Sequence, residues 1–297
     1  MELFNAHGPY DQALWDPMAS GSTSHHKMSK FLVETISAEI KSKYSKWQLS
    51  EMSILDVGGY DGWILVQLQH ELNFKLAVCV EPRPKNIQKG KFAREYDGID
   101  TDVKFIQGEL NSLDQVLDNQ FDFVLCLGVL HHVDSTPKAI KSLTDLCLNT
   151  VFISSVIIER PRKSVNKIKK PLNLKDIPYL TSPDDFATAG FKFESPYFDG
   201  STIGISVVRL PEDKLIRMSV ISNGFEVKKS LISLDSKDTS FFTKSHGELW
   251  AFVVATKNVS ATSPEEKYLK DRIKYEYQFL FTLLNIEIIE SWLQYIT

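Results

Sequence analysis

The chain has 297 residues, 43% of them hydrophobic and 24% charged, with a formal net charge of −4. This is the composition of an ordinary globular protein, long enough for one large α/β domain with additions, and it excludes a global basic field that would gather nucleic acid or a membrane surface. Cys79, Cys126 and Cys147 lie in apolar runs without metal-ligand spacing, residues 1–20 lack a basic start followed by an apolar core, and no run approaches membrane-spanning length. The expectation is a cytoplasmic protein with buried thiols, no metal and no membrane contact. The Asn258-Val259-Ser260 sequon is then incidental.

In chain order, residues 1–48 read as an N-terminal helical cap, because Met28, Leu32, Ile36, Ile40 and Tyr44 recur every four residues over a helix at 25–46. Residues 49–159 alternate strand and helix. Ile54–Val57 is a buried strand, three glycines (Gly58, Gly59, Gly62) crowd the following turn, and Trp63–Leu72 has helical periodicity. Leu76–Glu81 is a second buried strand, residues 84–95 suit a helix, and Val103–Gln107 is a short strand. Phe121–Leu127 is an apolar strand, residues 136–148 a helix with Ile140, Leu143 and Leu146 on one face, and Val151–Ile158 another buried strand. Continuous apolar strands separated by helices predict a mostly parallel, doubly wound sheet covered on both faces.

The alternation stops at Glu159. Residues 160–210 hold Pro161, Pro171, Pro178, Pro183 and Pro196 together with Phe186, Phe191, Phe193, Tyr197 and Phe198, and read as an inserted substrate lid. Residues 211–257 supply a helix over Leu215–Ser222 and two strands, one starting at Gly224–Val227 and one over Glu248–Ala255, with no helix between them. Such a pair is antiparallel and sits at a sheet edge. Residues 258–297 read as a C-terminal helix opened by the capping box Ser263-Pro-Glu-Glu266. Its apolar face needs the core, the N-terminal helix or a second subunit to cover it, so a homodimer through the terminal helices is one expectation.

A strand, a glycine turn and a helix bring backbone close to a nucleotide-like ligand, and a carboxylate at the end of the next strand accepts hydrogen bonds from ribose hydroxyls. Glu81 stands there, nineteen residues past Gly62. The turn alone is compatible with dinucleotides, although its spacing is not Gly-x-Gly-x-x-Gly.

The turn Asp56-Val-Gly-Gly-Tyr-Asp-Gly62, the strand ending in Glu81, Gln107-Gly-Glu109 and Phe121-Asp-Phe-Val-Leu-Cys-Leu-Gly-Val-Leu-His-His-Val133 together resemble class I S-adenosylmethionine-dependent methyltransferases. The resemblance covers roughly residues 50–160, and the late strand pair supports it to about residue 256. It implies a Rossmann-like fold and S-adenosyl-L-methionine as cofactor, with S-adenosyl-L-homocysteine as product. The family pattern at the turn is acidic-x-Gly-x-Gly-x-Gly. Asp56, Gly58 and Gly62 match it, while Tyr60 takes the middle glycine's place, as in a subgroup that includes tRNA wobble-uridine carboxymethyltransferases and small-molecule methyltransferases. By resemblance, Gly58 and its neighbours Gly59, Tyr60, Gly62 and Trp63 lie against the methionine and ribose, and Glu81, beside Pro82, takes the ribose hydroxyls. Gly108, Glu109 and Leu110 meet the adenine, and Leu127 and Gly128 meet the methionine amine.

Transfer from a sulfonium needs an in-line nucleophile, and an oxygen or protonated nitrogen nucleophile also needs a base. His131 and His132 follow the fourth strand at the edge where open α/β sheets bind ligands. Of two adjacent residues one points into the pocket; the expectation is His131 facing the ligand and His132 structural. Tyr197, Asp199, Ser201 and Thr202 form a polar set in the lid, suited to the acceptor or to a plain reverse turn at Asp199-Gly200. Tyr60 and Trp63 offer aromatic faces, with core packing the default for Trp63, and His25 and His26 open the N-terminal helix. The segment Arg160–Lys170 carries six cations and no acid, which suits a phosphorylated acceptor or a solvated loop. The expected activity is methyl transfer to oxygen or nitrogen of a small polar acceptor, a sugar or phosphorylated compound. The alternatives are a tRNA-modifying methyl or carboxymethyl transferase, disfavoured by the acidic charge, a nicotinamide-dependent oxidoreductase, disfavoured by the turn spacing, and a non-catalytic S-adenosylmethionine-binding domain.

Overall fold

A computed structural model describes residues 24–97, 102–158, 189–194, 206–232 and 249–258. Its main sheet is built from β1 (Ser53–Val57), β2 (Leu76–Glu81), β3 (Val103–Gln107), β4 (Phe121–Leu127), β5 (Cys147–Ile157), β8 (Phe225–Ile232) and β9 (Leu249–Lys257). A separate two-stranded antiparallel ribbon joins β6 (Ala189–Glu194) to β7 (Ser206–Pro211). The helices are α1 (Ser24–Lys41), α2 (Lys46–Leu49), α3 (Trp63–Leu72), α4 (Pro84–Asp97), α5 (Thr136–Asp145) and α6 (Asp213–Ser222), with 3-10 turns at Leu110–Gln115 and Leu130–His132.

The strand order is β3-β2-β1-β4-β5-β9-β8. The first five strands are parallel neighbours, and β9 is antiparallel to both β5 and β8. Each strand residue serves one of two cores, because successive side chains leave opposite faces. Leu55 and Val57 pack with Ala139, Ile140 and Leu143 of α5 and with Ile216 and Val220 of α6. Ile54, next to Leu55 on the opposite face, packs with Leu32, Ile36 and Ile40 of α1 and with Leu65 and Leu68 of α3. Met28, Leu32, Ile36 and Ile40 of the stripe are thus the face that α1 buries, while Tyr44 follows the helix and packs on the same core.

Several boundaries differ from the sequence expectation for local reasons. The helix expected over 25–46 stops at Lys41, and Ser45 begins α2 with its own capping box. There the Ser45 hydroxyl accepts from the Gln48 amide, and the Gln48 side chain accepts from the Ser45 amide. The helix expected to reach residue 148 ends at Asp145, and β5 begins four residues earlier than expected. Cys147 pairs there with Phe121, and the Asn149 amide donates to Asp122 at 2.9 Å. The ribbon strands lie within or at the border of the stretch read as a lid, where the short alternation Phe191-Lys-Phe-Glu194 stands among glycines and prolines. Residues 160–188, which include the Arg160–Lys170 cations, and residues 259–297, which include the expected C-terminal helix, lie outside the described residues.

Chain order reverses between β1 and β4, so the crevice between their carboxyl ends is the place where an open sheet of this kind takes a ligand. The ladders continue into the loops there. The Gly58 amide donates to the Val80 carbonyl at 2.7 Å, and the Gly128 amide to the Ser154 carbonyl at 2.8 Å.

Candidate active site

Four segments meet at this edge: the turn after β1, the end of β2, the start of the loop after β3 and the turn after β4. Gly58 and Val129 touch so closely that a Cβ on Gly58 would lie 2.5 Å from a Val129 methyl. The turns following β1 and β4 therefore form one floor.

Three residues of the first turn have positive φ: Gly58 at 71°, Tyr60 at 57° and Gly62 at 75°. The turn needs left-handed backbone at three alternate positions, which is the physical content of a glycine-x-glycine-x-glycine pattern. Tyr60 meets the requirement without being glycine. The left-handed region costs an L-residue about 1–2 kcal/mol. Tyr60 is held there from two sides. Its amide donates to Glu81 Oε2 at 3.2 Å, and its ring lies 5.2 Å from Lys89 Nζ. A desolvated cation–π contact of this kind is worth about 2 kcal/mol, enough to offset the backbone cost.

Lys89 comes from α4 and is 0% exposed, with Nζ 3.8 Å from Asp61 Oδ2. Asp61 is also buried, and its Oδ1 accepts from the amide of Trp63, the first residue of α3, at 3.2 Å. One residue further along α4, Gly90 lies so close to the turn that a Cβ would sit 2.1 Å from the Asp61 carbonyl oxygen. Asn86, one turn earlier on α4, donates from Nδ2 to Glu81 Oε1 at 2.8 Å. Asn86, Lys89 and Gly90 share one helical face, and that face presses on the glycine turn. Asp61 stands in the turn motif without a role assigned to it, and Asn86, Lys89 and Gly90 did not stand out in the sequence. Gln88-Lys-Gly-Lys91 reads as a solvated charged helix, and the one available signal was a glycine in mid-helix.

Glu81 is 3% exposed and accepts from the Tyr60 amide, the Arg83 amide at 3.2 Å and Asn86. Burial raises its carboxyl above the ordinary carboxylate range, opposed chiefly by the Asn86 hydrogen bond. Three donors leave a carboxylate with further acceptor capacity. Asp56, the penultimate residue of β1, lies beneath Gly59, whose Cβ would lie 2.6 Å from Asp56 Oδ2. Its Oδ1 is buried without a hydrogen-bond partner. Burial first, and then the Glu81 and Asp61 carboxylates, push the Asp56 carboxyl up to about 7. Pro82 is half-buried beside Glu81, and Trp63 packs against the core under α1. Glu109 is exposed at the head of the 3-10 turn after β3, with Gly108 half-buried next to it, while Leu110 is drawn into the core.

At the end of β4, Leu127 and Gly128 are half-buried. His131 is 6% exposed and His132 is exposed, their rings 4.0 Å apart. The His131 ring also meets Trp250 of β9 edge-on at 6.1 Å, and the Trp250 ring lies 3.8 Å from where a Gly128 Cβ would be. Trp250 is a wall of this corner that the sequence did not single out, because it comes from the antiparallel strand. Ribbon strand β7 packs against the Leu130–His132 turn, and the Arg209 guanidinium donates to the Asp134 carbonyl. The two histidines and Trp250 are brought together with the glycine floor. Tyr197, Asp199, Ser201 and Thr202 lie outside the described residues, as do the side chains of His25 and His26. Among the described residues no group of histidine, cysteine and acidic side chains is arranged to hold a metal, and no helix is long and apolar enough to cross a membrane.

The site fits an adenosyl amino acid. The buried Asp56 oxygen without a partner suits an ammonium, Glu81 keeps acceptor capacity, and the Gly128 position is open apart from Trp250. The sequence matches a family model described as a methyltransferase domain over residues 25–185, more than half of the chain. No curated protein matches it. Solved structures similar to it include magnesium protoporphyrin IX methyltransferase from Synechocystis PCC 6803 with bound SAH, 16% identical, with a TM-score of 0.49 over 79% of this chain and 84% of that one. An O-methyltransferase family protein from Burkholderia thailandensis is 12% identical, with a TM-score of 0.49 over 85% of this chain and 64% of that one. The YcgJ protein from Bacillus subtilis is 13% identical, with a TM-score of 0.49 over 79% of this chain and 99% of that one. With the family match over most of the sheet and its strand order in place, the chain belongs to the class I S-adenosylmethionine-dependent methyltransferases.

Proposed function

We propose that the protein transfers a methyl group to an oxygen or nitrogen of a small polar acceptor, a sugar or a phosphorylated metabolite, in the cytoplasm. The observation that carries this reading is the joining of the glycine floor to a histidine corner. Gly58 meets Val129 at the switch point, and His131 stands two residues further on. When bound, S-adenosylmethionine supplies a methyl on a sulfonium whose departing thioether is neutral, so positioning can carry much of the rate. Asp56 and the Leu127–Gly128 backbone hold the methionine amine, Glu81 accepts from the ribose hydroxyls, and Glu109 faces the adenine amino group. Gly58, Gly59 and Gly62 let the turn fold closely against Val129, Asp56 and Phe105, and so shape the cradle. His131 takes the proton that leaves the acceptor, with Trp250 shaping its side of the pocket. The net charge of −4 weighs against a tRNA backbone as acceptor.

The test is label transfer from methyl-labelled S-adenosylmethionine to a panel of sugars, sugar phosphates, small amines and bulk tRNA. Label is expected in a small acceptor and not in tRNA. His131→Ala should lower turnover on the order of a hundredfold, the usual worth of a positioned base, while leaving SAH affinity unchanged. His132→Ala should be near wild type. The reverse pattern would move the base to His132, and label in tRNA alone would overturn the small-acceptor assignment.

A further inference from the structure

We propose that Lys89 is a positioning residue for cofactor binding. It holds the Tyr60 ring and the Asp61 carboxylate so that the glycine turn keeps its ligand-accepting shape, with tyrosine in a glycine's place. The proposal rests on the reading of this turn as the cofactor's cradle, and adds to it a residue of α4 behind the turn.

The observations are independent of one another. Tyr60 has φ 57°, a conformation favoured by glycine. Lys89 is fully buried, yet its ammonium lies 5.2 Å from the Tyr60 ring centroid and 3.8 Å from Asp61 Oδ2. Asp61 in turn accepts from the amide of Trp63, the first residue of α3, whose amino end faces the crevice. A buried cation is costly unless it is matched, so its placement between a π face and a carboxylate links the conformations of residues 60 and 61 to α4. Gly90 and Asn86 make the same helix face the support of both the turn backbone and Glu81. A glycine at position 60 would need no such support. The tyrosine does, which predicts that the two positions are energetically coupled.

The experiment measures SAH affinity by calorimetry for the full chain, Tyr60→Gly, Lys89→Met, the double variant and Glu81→Ala. Lys89→Met should weaken SAH on the order of tenfold when Tyr60 is present, and by less than about threefold when position 60 is glycine. With labelled transfer as a second readout, KM for S-adenosylmethionine should rise while kcat holds, since no reacting atom is touched. Equal losses in both backgrounds, or no loss at all, would overturn the proposal and leave Lys89 a packing residue. Glu81→Ala separates the two ideas. If it leaves SAH affinity unchanged, the cradle reading fails and the Lys89 proposal falls with it; if it weakens SAH while Lys89→Met does not, only the Lys89 proposal falls. Should Lys89→Met fail to fold by circular dichroism, Tyr60→Leu keeps Lys89 and removes the ring while retaining a β-carbon at positive φ. It should bind SAH about tenfold more weakly than Tyr60→Gly, and equal affinity would overturn the proposal.

Discussion

Asp56 shows how much of the site is set by surroundings that adjoining residues do not reveal. Its place within the first strand was readable from the apolar residues on either side of it. Its titration was not, because that comes from burial and from Glu81 and Asp61, which the fold brings near. An acid whose folded value is raised binds more protons in the folded state than in the unfolded state over the interval between the two values. Stability from Asp56 is therefore fully present below its ordinary value near 4 and is lost as pH rises to about 7. Glu81 is shifted in the same direction, also by burial. Without cofactor, the wild-type urea midpoint should fall between pH 5 and pH 7.5 relative to Asp56→Asn, in which this dependence is reduced. Parallel profiles for the two proteins would show that Asp56 does not titrate in this range. Tyr60 carries the complementary lesson. A pattern expecting glycine flagged it as a misfit, and the structure shows it adopting the glycine conformation, with Lys89 beside its ring.

At the level of elements, the strands were the most legible part. Val103–Gln107 and Phe121–Leu127 were read with the bounds the structure has, because buried parallel strands are short continuous apolar runs. Helix α4 was read as a helix but not as a functional one. Among its described residues Asn86, Lys89 and Gly90 are buried beside a single apolar residue, Ile87, so hydrophobic periodicity has little to report. Gly90→Ala is the decisive substitution there. Helix propensity alone predicts a gain of about 1 kcal/mol. The added Cβ, 2.1 Å from the Asp61 carbonyl oxygen, must instead displace backbone, so a net loss on the order of 1–3 kcal/mol is expected. Urea unfolding would register it, and a stabilised Gly90→Ala would mean that α4 does not press on the turn. Strands β6 and β7 went unread, because their ladder partners are each other and the flanking glycines and prolines outweigh a short alternation.

For the whole molecule, the reversal of strand order between β1 and β4 gathers four loops into one crevice. A ligand bound there ties both halves of the sheet together and stabilises only the folded chain. At a hundredfold excess over its dissociation constant SAH should add about 2.7 kcal/mol, raising Tm by roughly 5 °C or more, while NAD should leave it unchanged. A shift with NAD and none with SAH would contradict the family assignment at its cofactor. The sequence by itself determined the alternation of strands and helices, the glycine turn, the carboxylate at Glu81 and the histidine pair. Each of these is a local pattern, written in neighbouring residues and governed by backbone geometry or by burial on two faces. Only the tertiary structure decided that Asn86, Lys89 and Gly90 support the turn from behind, that Trp250 walls the histidine corner, and that His131 is the buried member of its pair. Those facts depend on contacts between segments distant in the chain. Polar burial and close backbone approach leave no periodicity for a single sequence to display.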